Sequence, residues 1–164
     1  MPLRSTRAQV PGLLGWLALV LLAGGLGAIA SVDAAPFYAQ LNRPGWAPPA
    51  GVFGPVWSVL YVLMAVAAWL VWREPATPSR APALAVFVLQ LAVNALWSWL
   101  FFGWHRGAWA FVDVLLLLAL IVATIVLFRR VRPLAAWLLL PYLVWVAFAS
   151  ALTWAVWRAN PGVL

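Results

Sequence analysis

The 164-residue chain has no cysteine and no lysine, a single histidine, His105, and three carboxylates, Asp33, Glu74 and Asp113. Without cysteine there is no disulfide, no thiolate nucleophile and no thiolate metal ligand. One histidine and three scattered acids supply no metal-ligating cluster and no Ser/His/Asp set that converges in a small chain, so neither a metal site nor a hydrolytic triad is expected. Charge of any sign is also scarce. Charged residues make up 8% of the chain and hydrophobic ones 67%, against about 25% charged in a soluble domain, which excludes an ordinary soluble protein. The net charge is +7, and all ten basic residues behind it are arginine. These arginines sit at the ends of apolar runs, where they anchor to headgroups and set topology, and no nucleic-acid partner is expected.

What the chain does have is five apolar runs, at about 11–32, 54–73, 81–102, 107–129 and 134–158, the fourth interrupted by Asp113. A bilayer core of about 30 Å needs roughly 20 helical residues at about 1.5 Å each, so every run is long enough to span. The expected fold is an all-α integral membrane protein, a five-transmembrane-helix bundle forming one domain over residues 1–164. Residues 33–53 form its only long connection, loop 1. Arg4 and Arg7 ahead of the first run also fit a secretory signal, but twenty uncharged residues from Leu13 to Val32 exceed the roughly 7–15 of a signal core, so a retained helix is expected. Seven arginines (4, 7, 73, 80, 129, 130 and 132) fall on the side of the N-terminus, against three (43, 106 and 158) on the side of loop 1. The positive-inside rule then places the N-terminus in the cytoplasm, with a bacterial inner membrane favoured over an outer membrane.

The chain also carries 13 tryptophans. Eight fall toward loop 1 (46, 57, 97, 99, 104, 109, 154 and 157) and four toward the other end (16, 69, 72 and 137), with Trp145 near the middle. Interfacial belts explain tryptophans in general. The surplus on one side suggests an aromatic-walled cavity under loop 1. Residues three or four apart share a helical face, which groups Trp57 with Tyr61, Gln90 with Asn94, Trp97 and Phe101, Trp109 with Asp113, and Pro141 with Trp145, Ala149 and either Leu152 or Thr153. Gln90, Asn94 and Asp113 lie inside spans, where an unsatisfied polar group costs several kcal/mol, so each needs a partner. Gln90 and Asp113 read best as structural hydrogen-bonding groups; for Asn94, packing and direct ligand contact are equally plausible. Loop 1 holds Pro36, Pro44, Pro48, Pro49 and Pro55, whose fixed backbone angles predict a stiff lid. Arg43 on that lid is suited to pairing with a ligand carboxylate.

Several motifs fall in matching order over nearly the whole chain: Arg43-Pro-Gly-Trp46-Ala-Pro-Pro49, Phe53-Gly-Pro-Val-Trp57 with Leu60-Tyr61, Gln90-Leu-Ala-Val-Asn94-Ala-Leu-Trp97-Ser with Phe101-Phe102-Gly103, then Asp113, and Pro141-Tyr142-Leu-Val-Trp145 with Phe148-Ala149. Together they resemble the tryptophan-rich sensory protein / translocator protein (TspO) family. The resemblance implies a five-helix bundle, commonly a homodimer, with a pocket for porphyrins such as protoporphyrin IX. Positions matching the family pocket are Trp57, Tyr61, Asn94, Trp97, Trp109, Trp145, Ala149 and Leu152; Arg43, Trp46 and Thr153 complete the expected ligand-binding set. Thr153 stands where the family usually has asparagine, and Trp154 breaks the sterol pattern of the animal members.

The expected function is a tetrapyrrole-binding receptor or sensor embedded among membrane lipids, requiring no cofactor, with porphyrin as its ligand. One alternative is a light-dependent porphyrin-degrading enzyme using Trp57 and Trp145 as redox groups. The other is passive passage of porphyrin or lipid.

Overall fold

The computed structural model describes residues 6–164, with side chains from residue 9. Arg4 and the side chain of Arg7, both used in the topology argument, lie outside the described residues. The helices are α1 (Thr6–Ala30), α2 (Ala34–Gln40), α3 (Phe53–Arg73), α4 (Arg80–Ser98), α5 (Gly107–Val131), α6 (Pro133–Leu138) and α7 (Leu140–Ala159), with no strand among the described residues. Five stretches are long and apolar enough to cross a membrane: Gln9–Ala30, Ala50–Arg73, Arg80–Gly103, Gly107–Val131 and Pro133–Ala159. Arg73, Arg129, Arg130 and Arg158 occupy last turns, where cations face the negative end of the helix dipole.

Three departures from the simple five-helix reading shape the site. Loop 1 is partly helical: α2 tolerates Pro36 because it falls in the first turn, where the missing N–H has no helical acceptor, and a single 3₁₀ turn at Ala50–Val52 leads into α3. The fifth span is broken at Leu139. Pro141 cannot donate to the carbonyl four residues back and its ring crowds it, which forces the break. α4 ends in a π turn, Trp99–Gly103, closed by Trp104 N–H donating to Trp99 O (2.7 Å) and Arg106 N–H to Leu100 O (2.7 Å). His105 then takes a left-handed φ of 52° that turns the chain into α5.

Around the bundle α1 packs on α3 and α4, α4 on α5, and α5 on both α6 and α7, while α3 packs on α6 and barely touches α7. The Pro141 break is the reason: it lets the short α6 close against α3 and sends α7 away from it. At the α6 end the core is dense. Met64, Ala65, Ala67, Ala68, Val71, Phe87, Phe128 and Ala135 are fully buried, and the alanines let helices approach closely where no hydrophobic effect drives them together. Trp16 meets Phe87 edge-on (5.8 Å) and Phe87 stacks on Phe128 (5.6 Å). A second, smaller cluster of Leu41, Phe101, Ala110, Leu152 and Val156 seats loop 1 on the tips of α4, α5 and α7.

Candidate functional site

Where α7 leaves α3, a cavity of about 470 Å³ opens beneath loop 1. Its α3 wall is Trp57 and Tyr61, its α4 wall Asn94, Trp97 and Phe101, and its α7 wall Trp145, Ala149, Leu152 and Thr153; Ala34, Ala35 and Tyr38 of α2 and Phe53 roof it. α1 contributes small residues, among them Gly24, Gly27 and Ala28. A Cβ at Gly24 would stand 2.8 Å from Cε2 of Tyr61, so the ring occupies the space a side chain would fill.

The lining is aromatic in a specific arrangement. Trp57 leans on Tyr61 (5.4 Å, 31°), Trp97 stacks on Phe101 (5.2 Å, 13°), and Phe53 meets Trp145 edge-on (5.9 Å, 70°). Below these rings runs a chain of hydrogen bonds joining three helices. Tyr61 Oη donates to Asn94 Oδ1 (3.1 Å), Asn94 Nδ2 donates to Tyr142 Oη (3.2 Å), and Tyr142 Oη donates to Gln90 Oε1 (2.7 Å). Gln90 Nε2 points to Met64 Sδ (3.9 Å). Asn94 thus lines the cavity and ties α4 to α3 and α7.

Two donors break this pattern. Trp97 and Trp145 stand on two walls of the same cavity, and their buried indole N–H groups have no acceptor among the described residues. A buried unpaired donor costs about 1–3 kcal/mol.

Of the residues expected from the sequence, Trp57, Tyr61, Asn94, Trp97, Trp145, Ala149, Leu152 and Thr153 come together on the cavity. Trp109 does not: it is 64% exposed. The buried stripe of α5 enters through Gly107 and Ala110, and an i,i+4 step from Asp113 drifts about 40°, enough to turn Trp109 outward in the first turn. Arg43 and Trp46 also stand apart. Arg43 caps the ring of Tyr38 (4.6 Å) and lines a separate shallow depression on the loop with Asn42, Pro44 and Pro49, while Trp46 is half-exposed and meets Phe148 edge-on (5.7 Å). Among the described residues the cavity lining thus holds no cationic side chain. Gln90 accepts the hydroxyl of Tyr142 from α7. Asp113 is buried, but its Oδ2 has no hydrogen-bond partner, so the interhelical bond expected for that oxygen does not form.

The sequence reading missed Tyr142, Phe53 and Tyr38. Tyr142 is fully buried at the centre of the hydrogen-bond chain. An i,i+3 step back from Trp145 would have found it, whereas the i,i+4 step selected Pro141, which is exposed. Tyr38 carried no signal in a segment read as loop. Its hydroxyl donates to Pro48 O (3.1 Å). Burial raises its pKa, the nearby Arg43 pulling the other way, so the phenol stays a neutral donor.

Residues 16–158 match the TspO/MBR family. The Translocator protein of Homo sapiens is 44% identical over 128 residues, covering 77% of this chain and 76% of its own. Protein CrtK of Rhodobacter capsulatus is 42% identical over 141 residues, 85% of this chain and 87% of its own. The Tryptophan-rich protein TspO of Chlorobaculum tepidum is 37% identical over 129 residues, 76% and 80% respectively. With five helices able to span a bilayer and a match over most of its length, the chain is an integral membrane protein and belongs to the TspO/MBR family.

Proposed function

We propose that this protein is a membrane receptor that binds a tetrapyrrole such as protoporphyrin IX in the cavity under loop 1, and that binding there sequesters porphyrin or reports its level. The observation that carries this reading is the aromatic lining of the cavity, with Trp57, Tyr61, Trp97, Phe101 and Trp145 on three of its walls. A porphyrin is a flat apolar disc with carboxylates at its edge. Ring-to-ring contacts are worth about 0.5–1.5 kcal/mol each beyond burial, which suits a wall of aromatic rings to such a disc. The volume of about 470 Å³ lies in the range of about 300–1,000 Å³ typical of small-molecule sites. Protoporphyrin titration in nanodiscs, followed in darkness by tryptophan quenching, tests the reading. Saturable quenching weakened about tenfold by Trp97→Phe with Trp145→Phe is expected; quenching that does not saturate, or that the double variant leaves unchanged, overturns it.

A second reading, light-driven oxidation of the bound porphyrin, is supported by Trp57 and Trp145 lining one cavity. It calls for bleaching of porphyrin absorbance under light that requires the protein and slows in Trp57→Phe. Equal bleaching by both proteins removes that tryptophan from the reaction.

A further inference from the structure

Loop 1 is held by the buried Leu41 cluster and at three further places, and one of these differs in kind from the others. Phe37 stacks on His105 (4.2 Å, 17°) and Trp46 meets Phe148 edge-on; such ring contacts tolerate sliding. The third place is a directional pair at the far end of the molecule. Asn160, the C-cap of α7, is 6% exposed. Its Oδ1 accepts the backbone N–H of Asn42 (2.9 Å) and its Nδ2 donates to the backbone carbonyl of the same residue (2.9 Å). One carboxamide thus pairs with loop 1 as a neighbouring strand would.

Asn160 is itself fixed from two sides. Its Nδ2 also donates to Val156 O (2.7 Å), which ties the side chain to the last turn of α7, and its backbone carbonyl accepts the N–H groups of Val163 (3.1 Å) and Leu164 (3.0 Å). The turn so formed is packed tightly: a Cβ on Gly107 would lie 2.6 Å from Cδ1 of Trp157 and 2.8 Å from Cβ of Leu164. On the loop side Asn42 is exposed, and its own side chain reaches only Ala159 O at 3.5 Å, while its neighbour Leu41 is buried with Phe101, Leu152 and Val156. The pair is therefore the directional part of a hold whose other part is apolar.

We propose that Asn160 is the latch that keeps loop 1 shut over the cavity. It acts as a positioning residue: it does not line the cavity, and it holds the chain immediately after α2, which does. Each net hydrogen bond biases an equilibrium by up to about tenfold, so two bonds to one backbone unit keep the loop closed most of the time yet let it open. The roof residues Ala34, Ala35 and Tyr38 then move with the segment that Asn42 releases. Because Asn42 contributes its backbone, Asn42→Ala preserves the latch, whereas Asn160→Ala removes it.

The test is residue-resolved amide hydrogen exchange on the full chain in nanodiscs. In the wild-type protein the Asn42 amide is expected to exchange at least about tenfold more slowly than that of Gly45, which makes no hydrogen bond in the adjacent turn. Asn160→Ala removes that protection without speeding exchange in the cores of α3 and α5; Asn42→Ala retains it. Equal exchange at Asn42 and Gly45 in the wild-type protein overturns the latch and needs no variant, so a poorly folding Asn160→Ala does not block the answer. Unchanged protection in a folded Asn160→Ala overturns it equally. A second arm rests on the porphyrin reading: protoporphyrin should dissociate about tenfold faster from Asn160→Ala and at the wild-type rate from Asn42→Ala. An unchanged rate in a latchless variant overturns the latch as a gate, while a wild-type protein that binds no protoporphyrin counts against the porphyrin reading and leaves the exchange result to decide the latch.

Discussion

The two ends of this bundle are built from the same helices and differ in what stands between them. At the α6 end alanines and close-packed rings fill the space, and Phe87 and Phe128 are fully buried. At the loop-1 end the helices are lined by tryptophan and tyrosine, and two indole donors have no partner among the described residues. The lesson is that in a medium offering no hydrophobic drive between helices, residue size and backbone breaks decide where a bundle closes. Small side chains bring α3 onto α6, and Pro141 then directs α7 away, so density at one end and a cavity at the other follow from one kink.

The comparison can be broken most severely at the dense end. Phe87→Ala removes a ring held between Trp16 and Phe128 and should cost about 3–5 kcal/mol, read as a large loss of thermal stability in detergent; a small loss would mean this end repacks as freely as the other. Glycine substitutions sharpen the contrast next. Gly12→Ala drives a Cβ into the ring of Trp72 and should destabilise by about 1–3 kcal/mol. Gly24→Ala meets Tyr61 beside an open space into which that ring can swing, so it should cost less stability and instead weaken porphyrin binding. Equal stability losses would erase the distinction.

Between the two ends lies the hydrogen-bond chain. Gln90→Leu leaves the Tyr142 hydroxyl without its acceptor and should cost about 1–2 kcal/mol, measurable by chemical denaturation. Trp145→Phe deletes a donor that has no partner among the described residues. It should leave stability unchanged or slightly raised while reducing porphyrin affinity by about tenfold, which is about 1.4 kcal/mol. Loss of stability without loss of affinity would assign Trp145 to packing. Smallest of all, Trp109→Phe on the exposed face of α5 should change stability by less than about 0.5 kcal/mol and affinity not at all, and an affinity change would return that residue to the site.

Much of the site was legible because helical periodicity is rigid. Trp57 with Tyr61 and Asn94 with Trp97 and Phe101 needed only i,i+3 and i,i+4 steps to be placed on common faces, and the structure puts all five on one cavity. The same rule misplaced Trp109 and passed over Tyr142. Spacing gives a face within some tens of degrees, and only the neighbouring helices say which edge of that face is covered. Arg43 was assigned by its charge and its place on the loop, yet its guanidinium lies over Tyr38, an outcome that depends on how loop 1 folds on itself.

Composition and patterning alone were enough to specify five apolar helices, a proline-rich loop between the first two and an aromatic excess toward that loop, because these follow from transfer energies and backbone stereochemistry that act residue by residue. Contacts between residues distant in the chain were beyond their reach. The pairing of Asn42 with Asn160, the parting of α3 from α7, the hydrogen-bond chain through Tyr142 and the absence of acceptors for two indoles each depend on where separate helices come to rest against one another. That is set by packing among all of them at once, and no local pattern encodes it.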